Sequence, residues 1–148
     1  MSVGLLDANV LIALAWPSHV HHRHAHSWFA LNYSAGWATC PLTQNAFVRV
    51  SSNPRFVSPA VSPRKAAALL REVVSLPNHV FWPEDVQFGD EHIPTELLLS
   101  HRQVTDAYLL GLSIRNEGKL VTFDQGIAAL LSNESPHRSA LEILYPGN

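Results

Sequence analysis

The sequence has little cysteine, no long apolar run and almost no net charge, and each shortage excludes a class of protein. Its one cysteine, Cys40, cannot form an internal disulfide, which favours a reducing, cytosolic setting and excludes a multi-cysteine zinc module. No apolar run approaches the roughly 18 residues of a membrane-spanning helix, so we expect no membrane partner. A net charge of −2 gives no overall basic field that would attract nucleic acid, so any such contact needs a local patch or a bound metal.

What is present indicates one folded domain. Hydrophobic residues make up 47% of the chain and charged residues 15%, a balance too apolar for a disordered protein. The length of 148 residues lies within the usual span of one domain, and no repeat, low-complexity tract or linker divides it. We therefore treat residues 1–148 as a single domain.

Apolar strands and amphipathic helices alternate along the chain. Short apolar runs predict strands at 3–6, 37–40, 80–82, 119–123 and 141–144. Helical spacing of apolar residues predicts helices at 9–15, 20–33, 41–52, 62–75, 103–116 and 125–131. The segment 84–96 is acidic and irregular and receives no assignment. This alternation indicates a layered α/β fold with a mainly parallel sheet.

Three aspartates stand at informative positions in this pattern. Asp7 and Asp124 each follow an apolar strand, and Asp106 lies near the start of a long helix. In parallel sheets the working residues gather at the carboxyl ends of the strands. Three carboxylates in one pocket repel one another unless a hard divalent cation, such as Mg²⁺ or Mn²⁺, holds them ionised. The alternative interpretation is that Asp7 and Asp124 cap the helices that follow them, and spacing alone leaves both open.

The segments around these aspartates resemble the acidic motifs of PIN-domain ribonucleases, in particular the VapC toxins of bacterial type II toxin–antitoxin systems. They read LDANVL at 6–11, TDAYLL at 105–110 and VTFD at 121–124. The resemblance covers nearly the whole chain, because length, motif order and the alternation of helices and strands all agree. It implies a PIN-like three-layer α/β/α sandwich and an endoribonuclease that depends on Mg²⁺ or Mn²⁺.

The resemblance also implies roles for single residues and for partners. Asp7, Asp106 and Asp124 match three of the four acidic positions in the family's metal pocket, where RNA is hydrolysed to 5′-phosphate and 3′-hydroxyl ends. Asn9 and Thr43 are expected to support the site by hydrogen bonding, with a local role at a helix start as the alternative for both. The expected partners are a cognate antitoxin, an RNA substrate and a second copy of the chain in a homodimer.

The fourth acidic position of the family departs from its pattern. Gln44 stands where the resemblance predicts a glutamate. Glutamine keeps the shape of glutamate but loses its charge, so it weakens the hold on a cation and cannot act as a base. We therefore predict impaired activity at this site. A natural variant and an engineered glutamate-to-glutamine change both remain open.

Two other functions compete with RNA cleavage. One is a PIN scaffold that binds antitoxin or RNA without cutting it. The other is phosphoryl transfer through an aspartyl phosphate at Asp7, on a receiver-like or phosphatase-like α/β fold. That fold fits less well, because Asn9 stands where such phosphatases have a second aspartate and Lys119 begins its strand rather than ending it.

Histidines are concentrated in one segment, which holds His19, His21, His22, His24 and His26. His22 and His26 are spaced like two zinc ligands on one helix face, but the segment offers no third ligand. We interpret the segment mainly as exposed helix polarity near the mouth of the pocket. Stacking on RNA bases is a second interpretation, since imidazole rings stack.

Overall fold

The computed structural model describes residues 2–145, which fold around a five-stranded sheet. Its strands are β1 (Gly4–Leu6), β2 (Trp37–Thr39), β3 (His79–Phe81), β4 (Lys119–Thr122) and β5 (Leu141–Ile143). They lie in the order β3-β2-β1-β4-β5, and every neighbouring pair is parallel. The predicted parallel sheet is therefore confirmed, with no antiparallel strand in the described part of the chain.

Helices connect these strands. Within residues 2–145 the α-helices are α1 (Ala8–Ala15), α2 (His22–Asn32), α3 (Pro41–Ser51), α4 (Pro63–Val74) and α5 (Val104–Arg115). Shorter 3₁₀ helices span Tyr33–Ala35, His101–Gln103, Gln125–Leu130 and Arg138–Ala140. The segment predicted as a helix at 125–131 is one of these, since it is short and contains Gly126, a poor helix former. None of the helices in this part of the chain has the length and apolar character needed to cross a bilayer.

Each face of the sheet carries its own apolar core. On one face, Leu5 and Leu120 pack with buried residues of α5. On the other face, Leu6 and Val121 pack with residues of α1, α2, α3 and α4. Neighbouring strand residues point to opposite faces, so continuous apolar runs fill both cores. This arrangement confirms the predicted three-layer α/β/α sandwich.

The register of the central strands brings their carboxyl ends together. β1 pairs with β4 from Gly4 opposite Lys119 to Leu6 opposite Val121. Both strands thus end at the same edge, which we call the carboxyl edge. The helix α5 precedes β4 and runs back across the sheet, so its first turn also lies near this edge. The chain therefore collects the residues that follow β1 and β4 with those that begin α5.

Candidate functional site

Asp7 ends β1 and begins α1, and both of its carboxylate oxygens accept hydrogen bonds. Oδ1 accepts from the backbone N–H of Ala8 at 2.8 Å, and Oδ2 accepts from the hydroxyl of Thr122 at 2.7 Å. Burial raises the pKa of Asp7 above its ordinary value, and the carboxylate of Asp124 raises it further. The hydrogen bonds from Thr122 and Ala8 oppose that rise without cancelling it. The fold therefore places Asp7 where its negative charge is unfavourable without a cationic partner.

Thr122, the last residue of β4, links the polar groups at the carboxyl edge. Its hydroxyl donates to Asp7 and accepts from the side-chain amide of Asn9 at 3.3 Å and the backbone N–H of Asp124 at 3.0 Å. The single donor and both acceptor sites of the hydroxyl are thus in use. Thr122 is fully buried and had no predicted role. The sequence signal that could have found it is a hydroxyl at the end of an apolar strand, two residues before an aspartate.

Asn9 fastens α1 to the end of β4. Its Oδ1 accepts from the backbone N–H of Phe123 at 3.2 Å, while its amide donates to Thr122. Asn9 therefore contacts the groups that orient Asp7 and Asp124 rather than the carboxylates themselves. Its supporting role stays a prediction, and these hydrogen bonds are the means by which Asn9 would exert it.

The remaining two aspartates flank the same edge. Asp106 lies in the first turn of α5, and burial together with the carboxylates of Asp7 and Asp124 raises its pKa to about 6. The effect of Asp7 and Asp124 on Asp106, and of Asp124 on Asp7, means that the three carboxylates lie within electrostatic range of one another. Asp124 also accepts from the backbone N–H of Gly126 at 2.8 Å. Capping by Asp7 and Asp124, the alternative interpretation, is therefore present, and it coexists with their proximity to Asp106.

The charge of the three aspartates is not balanced by a basic side chain. In residues 2–145 the ion pairs are Lys119–Glu142 and His92–Asp90, and neither includes one of the three. An oxygen donor set without a basic partner fits a hard divalent cation such as Mg²⁺ or Mn²⁺. In the same part of the chain, however, no three His, Cys, Asp or Glu side chains are close enough to hold an ion together. Sharing one ion requires these carboxylates to move closer.

Gln44 and Thr43 lie in the first turn of α3 and bond to other partners. The Nε2 of Gln44 donates to Thr39 Oγ1 at 3.0 Å, and the same Thr39 oxygen lies 2.7 Å from Nε2 of His79. The hydroxyl of Thr43 accepts from the backbone N–H of Cys40 at 3.0 Å and donates to its carbonyl oxygen at 3.1 Å. Thr43 therefore closes the start of α3, which is the local role left open for it. The hydrogen bonds of Gln44 and Thr43 described here do not reach the three aspartates.

The histidine segment packs against the end of β4. The ring centroids of His21 and His24 lie 5.0 and 5.7 Å from that of Phe123, the residue before Asp124. His22 directs its Nδ1 at the carbonyl oxygen of Ala13, 2.8 Å away. The zinc arrangement considered for this segment has no support in residues 2–145, where no three metal-binding side chains cluster. The segment adjoins the candidate site through aromatic contacts.

Comparison with known proteins gives consistent results. Residues 4–131 match the PIN domain family. Ribonuclease VapC38 of Mycobacterium tuberculosis is 45% identical over 86% of this chain and 89% of its own length. Ribonuclease VapC39 of the same species is 46% identical over 84% of this chain and 91% of its own length. In the crystal structure of VapBC2 from Rickettsia felis bound to a promoter DNA fragment, one chain shares the fold, with a TM-score of 0.66, 12% identity and coverage of 95% of this chain and 98% of that one.

Proposed function

Because the chain belongs to the VapC group of the PIN-domain family, we propose that it is a metal-dependent endoribonuclease. Its relatives VapC38 and VapC39 are named as ribonucleases, and the similarity spans more than four fifths of each protein. In this proposal the chain is the toxin of a type II toxin–antitoxin system and hydrolyses phosphodiester bonds of RNA. The family match gives no support to phosphoryl transfer through Asp7 on a receiver-like fold.

The observation that carries the proposal is the electrostatic coupling of three carboxylates from distant parts of the chain. Asp106 has a pKa raised to about 6, and the contributions after burial come from Asp7 and Asp124. Such coupling requires the carboxyl edge to concentrate negative charge. Without a cationic ligand, three acids at one edge of the sheet would only repel one another. This supports a site that works with a divalent cation.

The residues of the chain have distinct parts in the proposed mechanism. Asp7 and Asp106 would hold Mg²⁺ or Mn²⁺, and Asp124 would complete the site. When bound, the ion supplies positive charge at the scissile phosphate and makes water a better nucleophile. The Thr122 hydroxyl fixes the orientation of Asp7, and Asn9 holds the backbone that leads into Asp124. These contacts orient Asp7 and the backbone before Asp124, while the three carboxylates would still have to move closer to share one ion.

The proposal extends to partners and location. RNA is the substrate, a cognate antitoxin is the inhibitor, and a second copy of the chain forms a homodimer. The structural relative from Rickettsia felis was solved as a VapBC2 complex, which supports looking for a protein partner of this chain. A cytosolic location is supported by Cys40, which is the single cysteine of the sequence and is a free thiol.

Substitution of the aspartates tests the proposed activity. Asp7→Asn, Asp106→Asn and Asp124→Asn each remove one charge from the site, so each is expected to slow cleavage of single-stranded RNA in Mg²⁺ or Mn²⁺ by about a hundredfold or more. The measurement is the initial rate of cleavage of an end-labelled RNA on denaturing gels.

A matched control is Asp90→Asn, because Asp90 is paired with His92 outside the site. This variant is expected to cleave at the rate of the original protein. Unchanged cleavage by Asp7→Asn would contradict the assignment. Binding of RNA with no cleavage in either metal would instead favour the non-cleaving PIN scaffold.

A further inference from the structure

Four aromatic rings from two distant segments form a cluster that we call the ring shelf: His19, His21, His24 and Phe123. The centroids of His21 and Phe123 are 5.0 Å apart, with the ring planes inclined by 35°. His19 adds a ring 5.7 Å from His21, and His24 meets Phe123 edge-on at 5.7 Å. All four side chains are half-buried, so part of the shelf faces solvent.

The shelf adjoins the carboxylates through the backbone. Phe123 lies between Thr122, whose hydroxyl donates to Asp7, and Asp124 itself. Its backbone N–H donates to Asn9 at 3.2 Å, so the network that orients the carboxylates also fixes the position of Phe123. A nucleotide whose phosphate lies at the carboxylates would therefore have its base within reach of the shelf.

Hydrogen bonding within the segment does not account for the rings of His21 and His24. His21 precedes α2, but its side chain makes no capping hydrogen bond. His24 Nδ1 is buried and has no hydrogen-bond partner in residues 2–145, so ring packing holds this side chain in place. His19 Nδ1 accepts a hydrogen bond from the backbone N–H of His21 at 3.0 Å. A ring nitrogen that accepts carries no proton, so the His19 ring is neutral with its proton on Nε2. The shelf thus offers ring surface without a fixed positive charge.

We propose that the ring shelf binds an unpaired nucleobase of the RNA by stacking, beside the phosphate that is cleaved. This inference rests on the proposed function and names the part of the substrate that the histidine segment recognises. Stacking on aromatic and imidazole rings is the usual way in which proteins hold single-stranded bases, and it tolerates different sequences. It also supplies affinity for RNA that a net charge of −2 does not.

The chemistry of the shelf favours a base over a metal ion or a phosphate. Phe123 has no atom that binds an ion, and in the described residues no three metal-binding side chains cluster. A phosphate would need a permanent cation, whereas Phe123 is apolar and the His19 ring is held in its neutral form. A duplex would keep its bases stacked on one another, so the ligand must be single-stranded.

Fluorescence of 2-aminopurine tests the proposal, because its emission falls when the base stacks on another ring. The purified protein is titrated with a single-stranded RNA that carries 2-aminopurine, in EDTA so that no cleavage occurs. We expect quenching on binding by the original protein. In His21→Ala the quenching is expected to disappear and the Kd to rise about tenfold, the effect of losing one stacking contact.

His26→Ala is the matched control. His26 is exposed on α2, and its ring lies beside His22 rather than Phe123. It is expected to keep both the quenching and the Kd of the original protein. His21→Phe keeps an aromatic ring but has no imidazole nitrogen, so it is expected to retain quenching. If His21 acted by hydrogen bonding or by binding a metal, this variant would lose quenching.

The outcomes separate this inference from the proposed function. Equal Kd and equal quenching in His21→Ala and His26→Ala would overturn the ring shelf, even if the aspartates prove essential for cleavage. Loss of quenching in His21→Ala alone would support the shelf, even if no metal-dependent cleavage is ever observed. Circular dichroism of each variant checks that the fold is retained, and His21 makes no side-chain capping hydrogen bond to α2 that the substitution would remove.

Discussion

At Asp106, burial and two neighbouring carboxylates act in the same direction and raise the pKa from 3.8 to about 6. An acid whose pKa is raised on folding binds its proton more tightly in the folded state than in the unfolded one. The folded state is therefore penalised as the pH rises through the interval between those two values, and the penalty is absent below it. Concentrating acids at the carboxyl edge therefore destabilises the folded protein when Asp106 is ionised.

Neutralising Asp106 should stabilise the metal-free protein at neutral pH. In EDTA at about pH 7.5, Asp106→Asn is expected to raise the free energy of unfolding by on the order of 1–2 kcal/mol, less than the full pKa shift implies because solvent screens part of the charge. The gain should shrink as the pH falls and be mostly lost near pH 4, where the carboxyl group of the folded protein is protonated. Urea unfolding at both pH values measures this difference.

The control for that experiment is again Asp90→Asn. The backbone N–H and the ring of His92 lower the pKa of Asp90, so removing its charge is not expected to stabilise the protein at neutral pH. An Asp106→Asn variant with the same stability gain at both pH values would contradict the electrostatic explanation.

At Gln44 the acidic residue expected from the family resemblance disagrees with the hydrogen bond observed in the structure. Its amide donates to Thr39, so a glutamate there must exchange this donor for an acceptor while restoring the charge that the family pattern has. If this is the family's fourth acidic position, Gln44→Glu should raise the rate of Mg²⁺-dependent RNA cleavage at least about tenfold. The measurement is the same cleavage assay used for the aspartates.

Gln87→Glu adds an identical charge at an exposed position and serves as the control, with no change expected. No gain in Gln44→Glu would show that position 44 is not the acidic position of the family. The origin of Gln44, natural or engineered, does not affect this test.

The boundaries of the elements show which structural features could be predicted from the sequence. Ser62 and Pro63 predict the start of α4, where the Ser62 hydroxyl accepts from Lys65 N–H at 3.2 Å. Such signals are local and therefore visible in the sequence. The start of α2 was predicted two residues too early, because the contact of His19 with the backbone of His21 forms a turn before the helix.

Contacts between distant segments also limit how much of the site can be predicted from the sequence. Parallel strands predict that Asp7 and Asp124 share an edge, and the register of β1 with β4 confirms that edge. The Thr122–Asp7 hydrogen bond joins residues 115 positions apart, and the contact of His21 with Phe123 also spans the chain. No local sequence pattern predicts these two contacts, since they depend on how the helices pack against the sheet.

Within α5, close packing outweighs helix propensity at Gly111. A Cβ at this position would lie 2.8 Å from Cα of Ile93 and 3.1 Å from the carbonyl oxygen of His92. Although alanine favours a helix by about 1 kcal/mol over glycine, Gly111→Ala forces the backbone of the 84–96 segment to move. We expect a net destabilisation of about 1–3 kcal/mol, measured by urea unfolding.

Arg115→Ala, at an exposed position of the same helix, is the control, and we expect it to change stability by less than about 0.5 kcal/mol. A Gly111→Ala variant more stable than the original protein would mean that the segment beside α5 yields easily. The 84–96 segment would then not be a rigid part of the core.

For the molecule as a whole, the topology of the sheet concentrates acidic side chains in a way that the composition does not suggest. A chain with nearly balanced charges gathers three acids at one edge, because β1 and β4 are parallel neighbours and α5 begins beside them. The helical layers on both faces bury the strands and leave that edge as the place where polar side chains meet. Aromatic rings from the histidine segment border it on one side.

Anomalous diffraction from crystals grown with Mn²⁺ tests this arrangement most directly, because it locates the ion without relying on activity. We predict a Mn²⁺ peak bound by carboxylate oxygens of Asp7, Asp106 and Asp124, which move closer than in the metal-free protein, and loss of that peak in Asp106→Asn. Crystals in which Mn²⁺ binds elsewhere, or not at all, while these three side chains stay apart would contradict it.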